Sequence, residues 1–132
     1  MNEAEIEIAL VKHLKGIQPA YPIVWPNPKV PYDGEKPYLI FEMVRVSRTD
    51  PAIAGGTVRS RGYLMLTVVA DRGKFTTSAN RIADTVADHF SYPRRIAGIG
   101  GTVTIIKPPE VMNDPGTGRD WRIPVRIDYR AI

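Results

Sequence analysis

The stretch Trp121-Arg122-Ile123-Pro124-Val125-Arg126-Ile127-Asp128-Tyr129 alternates apolar and polar side chains, broken on the polar side only by Pro124. Successive residues of an extended chain point to opposite faces. Trp121, Ile123, Val125, Ile127 and Tyr129 therefore share one apolar face. Arg122, Pro124, Arg126, Asp128 and the following Arg130 share a mainly charged one. This is a strand buried on one side, as in a sheet with one covered face. Pro124 has no N–H to give to a ladder, which points to a sheet edge or a local bulge. An edge invites pairing with another chain unless charge protects it, and Arg122, Arg126 and Arg130 would supply that charge.

Upstream, residues 113–118 (Asn-Asp-Pro-Gly-Thr-Gly) form a turn-rich loop, and residues 102–106 read as a strand closed by Pro108-Pro109. Gly98-Ile99-Gly100-Gly101 is a tight turn into it. Residues 74–90 predict a helix, with Phe75, Ala79, Ile82, Ala83, Val86 and Phe90 along one stripe and Pro93 forbidding its continuation. Two further strands precede it, at 38–46 and 62–70, the first placing Leu39, Phe41 and Met43 on one face. Between them residues 47–60 have too much glycine and too little periodicity for a core element and read as a long hairpin loop.

The chain opens with a predicted helix over 2–15, carrying Ile6, Leu10, Leu14 and Ile17 on one stripe. Asn2 is placed to cap it, Glu3 and Glu5 suit its positive end, and Gly16 ends it. A proline-rich segment follows, with room for a short edge strand at 23–25 and a turn at Asp33-Gly34. The expected fold is α+β: one domain over 1–132, a mostly antiparallel sheet of about four to five strands, and two helices packed on one face.

Composition narrows the function classes. The chain has 132 residues, 43% hydrophobic and 24% charged, with a formal net charge of +4. These values describe an ordinary globular domain. It contains no cysteine, which excludes disulfides, thiolate nucleophiles and cysteine-based metal sites. No apolar run approaches the roughly 20 residues of a membrane-spanning helix. The acidic start, Met1-Asn2-Glu3-Ala4-Glu5, is unlike a signal peptide, so the protein is expected to remain inside the cell at synthesis.

Motifs for chemistry are missing. His13 and His89 belong to no helical metal-ligand pair and read as surface groups near helix C-termini. The glycine run at 98–101 sits between helix and strand, the wrong order for a dinucleotide loop. Asp84 and Asp88 share a helix face and read as solvated. No catalytic residue, metal ligand or cofactor is expected. Arginine is the one conspicuous group. Arg45, Arg48, Arg59 and Arg61 bracket the 47–60 loop, and Arg122, Arg126 and Arg130 line the last strand. Such groups can bind phosphates. Single-strand recognition would also need interleaved aromatics, and these fall on apolar faces. An arginine-rich interface between proteins fits better, with a basic nucleic-acid-binding module as the alternative.

Several segments together resemble a known family. They are Trp25-Pro26-Asn27-Pro28, Pro37-Tyr38-Leu39, the run from Arg61 to Val68, Gly73, the helix Ala79-Asn80-Arg81-Ile82-Ala83-Asp84 ending in Phe90, and the close from Pro124 to Arg130. In this order and spacing they are similar to the tail terminator (tail completion, minor tail) proteins of long-tailed phages and prophages. The resemblance covers almost the whole chain. It implies a non-catalytic α+β protomer of a ring, usually a hexamer. The ring would sit on the head-proximal end of the tail tube, stop its polymerisation and offer a surface to the head connector. DNA would pass through it without sequence-specific binding. The implied partners are other copies of the chain, the tube protein and the connector, first in the host cytoplasm and then in the virion tail. Another head–tail joining component of similar architecture is the nearest alternative. Arg48, Asp50, Arg59 and Arg61 around the loop, and Arg122, Arg126 and Arg130 on the last strand, are the expected contacts to neighbouring subunits or the tube.

Overall fold

The structure, a computed structural model, describes residues 1–26, 34–49, 58–72, 76–116 and 118–132. The elements run α1 (Glu3–Lys15), β1 (Ile23–Val24), β2 (Tyr38–Thr49), β3 (Arg59–Asp71), α2 (Thr76–His89), β4 (Arg95–Gly98), β5 (Gly101–Ile105), β6 (Glu110–Val111) and β7 (Asp120–Ala131). The α+β class holds, but the sheet is larger than expected and mixed. Its seven strands lie in the order β1-β2-β3-β7-β5-β4, with β6 beside β7. The β1–β2 pair is parallel and the other pairs are antiparallel. β4 and β6 have four and two residues, too few for alternation to show in the sequence.

α1 forms as its ends dictate. The Asn2 side chain accepts the Glu5 N–H at 2.8 Å, and Ile6, Ala9, Leu10 and Leu14 are buried. α2 buries Ala79, Ala83 and Val86, with Phe90 following. Gly73 and the expected helix residues Lys74 and Phe75 lie outside the described residues, as does Asp33 of the expected turn. Both helices pack on the same face of the sheet. There they share one core with Leu39 and Phe41 of β2, Leu64, Leu66 and Val68 of β3, Val103 and Ile105 of β5, and Ile123, Val125, Ile127 and Tyr129 of β7.

The last strand is not an edge strand. β7 pairs with β3 along its whole length, from Ser60↔Ala131 to Asp71↔Asp120, and its other side meets β5 and β6. Pro124 is tolerated for a local reason. Its carbonyl accepts the Met112 N–H at 2.8 Å on the β6 side. A strand residue's N–H and C=O point the same way, so the missing donor also faces β6, where pairing ends at Val111. The ladder to β3 loses nothing opposite Thr67. Arg122, Arg126 and Arg130 therefore do not guard an edge.

The expected 47–60 loop is also shorter. Ser47, Arg48 and Thr49 pair with Arg61, Ser60 and Arg59 after a bulge between Arg45 and Ser47. The extra residue, Val46, is exposed. Residues 50–57 lie outside the described set. The Gly98–Gly101 turn joins two strands as a hairpin, and Gly100 takes a φ of +79° that favours glycine.

The histidines are not independent surface groups. His13 and His89 stack with ring centroids 4.2 Å apart and planes 20° apart. His13 Nε2 donates to the His89 carbonyl at 2.7 Å, and His89 Nε2 donates to the His13 carbonyl at 2.5 Å. Carbonyls only accept, so both rings carry their proton on Nε2. The pair ties the C-terminal turn of α1 to that of α2. Burial is the main cause that lowers the His13 pKa below its ordinary value, opposed by its hydrogen bond to the His89 carbonyl.

Candidate functional site, an arginine-bearing sheet face

The helices occupy one face of the sheet. The residues of opposite parity form the other. On β3 these are Arg59, Arg61, Tyr63, Met65 and Thr67; on β7 they are Arg130, Asp128, Arg126, Pro124 and Arg122. Tyr38 and Val69, both buried, close this face at one end. At the other end Arg59, Arg61 and Arg130 are exposed.

The register decides which arginines meet. Arg61 stands directly across from Arg130, with Thr104 of β5 on the far side of Arg130. Arg59 follows two residues along β3, at its last pairing with β2. Arg126 stands across from Met65 and lays its guanidinium 4.0 Å over the Tyr63 ring. It also reaches Asp128, with Nη2 to Oδ1 at 3.2 Å. Lys107 joins from beyond β5, 3.5 Å from Asp128 and 2.7 Å from Glu110. The hydrogen bond to Asp128 holds Arg126 still more firmly protonated, and that to Glu110, followed by the Asp128 charge, does the same for Lys107. The middle of the face is thus neutralised within the chain.

Arg122 is exposed, and its backbone N–H donates to Asp114 at 3.3 Å. Asp114 organises the loop before β7. It accepts the Gly116 N–H at 2.7 Å and an Arg72 N–H at 2.9 Å, and the Gly116 bond is the main cause holding its carboxyl below the usual range. Arg72 in turn lies 4.2 Å over the Trp121 ring.

Of the seven residues expected at an interface, five share this face: Arg59, Arg61, Arg122, Arg126 and Arg130. Arg48 does not. It lies on the helix side with Arg45, and both reach Glu3 in the first turn of α1, at 3.4 and 3.2 Å. Asp50 lies outside the described residues. Tyr63 and Asp128 escaped sequence reasoning as partners of Arg126, and Lys107 as a partner of Asp128. Strand parity could have placed Tyr63 beside Arg61, but only the register brings it to β7.

Among the described residues no cluster of three or more His, Asp or Glu could hold a metal ion, and no helix is long and apolar enough to cross a membrane. The candidate site is a row of guanidinium groups on the sheet face away from the helices, of which Arg126 is held by Tyr63 and Asp128. Residues 5–129 match the family model described as phage tail terminator protein, and the chain belongs to that family. It is thus a structural or assembly component of a phage tail. A solved structure with 24% sequence identity, covering 100% of this chain and 96% of its own, superposes with a TM-score of 0.79 and shares the fold. No curated protein matches the sequence.

Proposed function

We propose that the protein caps the head-proximal end of the tail tube as a ring, ends tube polymerisation and provides the surface to which the head joins. The match over residues 5–129 carries this reading. The two-sided protomer supports it. A ring closes through head-to-tail contacts between two different surfaces of each copy. Here a helix layer and an open arginine-bearing sheet face lie back to back. Other copies, the tube protein and the head connector are the partners, and DNA passes through the centre without sequence readout. The protomer's work is to present surfaces.

The test is removal of the gene from its phage or prophage and imaging of the tails. Overlong or headless tails are expected. Tails of normal length with unfilled heads would instead assign the protein to another head–tail joining step.

A further inference from the structure

We propose that the open sheet face is the docking surface for a second copy of this chain, which presents the outer face of α2. Arg59, Arg61 and Arg130 of one copy meet Asp84 and Asp88 of the next. The assignment rests on the ring reading above.

Like charges placed directly opposite on neighbouring strands are destabilising. Arg61 and Arg130 are such a pair, and Arg59 adds a third charge on the same face. None of the three makes an ion pair among the described residues, whereas Lys36, Arg45, Arg48, Arg72, Lys107 and Arg126 all do. The fold gains nothing from this concentration of charge, so its use lies outside the protomer.

The complementary charge is on the other side of the same molecule. Carboxylates without an ion pair in the described set include Asp84 and Asp88 on α2, both exposed. Arg81 lies near them and Arg94 lines one pocket with Asp88, so this face is mixed in sign and meets the arginines group by group rather than by net charge. The core face of the sheet separates this helix layer from the arginines. Surfaces on opposite sides of one protomer can meet only between copies, in head-to-tail order. A two-fold contact through the sheet face would set arginine against arginine.

A protein partner suits the face better than DNA does. Glu42, across from Met65, places a carboxylate on it, and Asp128 already neutralises Arg126 there, so the face matches a patterned surface better than a uniformly anionic backbone. Tyr63, the aromatic at its centre, is already covered by Arg126 and is not free to stack on a base.

Sedimentation velocity over a range of concentration and salt tests the proposal. The double variant Arg61→Glu/Arg130→Glu and the double variant Asp84→Lys/Asp88→Lys should each lose self-association. Mixed together they should regain it, because each supplies the charge that the other lacks around an alternating ring of even subunit number. Arg61→Thr/Arg130→Thr guards against misfolding. It should melt no lower than wild type yet associate on the order of tenfold more weakly. Wild-type oligomers with variants that assemble equally well, or with no rescue on mixing, would overturn the interface and leave the ring standing. If the wild-type chain stays monomeric in solution, the same variants are added to preassembled tail tubes, and variants that cap tubes as well as wild type overturn the contact. Binding of a short DNA duplex that Arg61→Thr/Arg130→Thr abolishes, with self-association intact, assigns the face to nucleic acid and overturns the proposal.

Discussion

Tyr129 is fully buried in the core, and its hydroxyl has no hydrogen-bond partner among the described residues. The ring lies across from Gly62, where an added Cβ would come within 2.7 Å of the Tyr129 oxygen and 2.5 Å of the Val44 carbonyl. The glycine is there to make room for the ring. An unmade hydrogen bond on a buried polar group costs about 1–3 kcal/mol. Tyr129→Phe should therefore raise stability by about 1 kcal/mol in chemical denaturation. Gly62→Ala should lower it, because backbone and ring would both have to move. A loss of stability in Tyr129→Phe would show that the hydroxyl is satisfied after all. His13 gives a second prediction. Burial depresses its pKa in the folded chain, so the unfolded chain takes up the proton more readily. Stability should be fully present above the ordinary histidine value of 6.5 and decline as pH falls below it. His13→Gln keeps a side-chain N–H donor and removes the titration. Its melting temperature should fall less between pH 7 and pH 5.5 than that of wild type.

At the scale of elements, β7 is the centre of the molecule. It borders β3, β5 and β6 and feeds Ile123, Val125, Ile127 and Tyr129 into the core. Ile127 is completely buried. Truncation of such a side chain leaves a cavity and costs about 2–5 kcal/mol. Ile127→Ala should lose stability in that range, measured by urea unfolding, whereas a peripheral strand would lose much less. The arginines of the same strand divide by what lies opposite them. Arg126 is engaged by Tyr63 and Asp128 within the chain. Arg130, opposite Arg61, is not.

At the scale of the whole molecule, the chain is a sheet with helices on one side and charge on the other, and residues 50–57 stand in sequence between β2 and β3. Arginines flank this segment in sequence, Arg48 before it and Arg59 and Arg61 after it. Deletion of residues 52–57 should leave the melting temperature within a few degrees of wild type and abolish tail assembly in a complementation assay. Normal tails from that variant would remove the segment from the interface.

Periodicity in the chain was enough to place both helices, the three long strands and the buried face of β7. It works because amphipathic alternation is a local property: Ile6, Leu10 and Leu14, or Ile123, Val125 and Ile127, need no knowledge of their partners to declare a face. The family too was legible in the order of its short motifs. Strand order and register were not. They depend on hydrogen bonds between residues far apart in sequence, and these made β7 central, turned Pro124 towards β6 and carried β2 past the bulge to Thr49. The same long-range register set Arg61 against Arg130, sent Arg48 to the helix side, and stacked His13 on His89. The alternation of residues 121–129 fixed which side chains face inward. Only the tertiary fold decided what those facing outward would meet, because a strand's neighbours are chosen by the packing of the whole sheet.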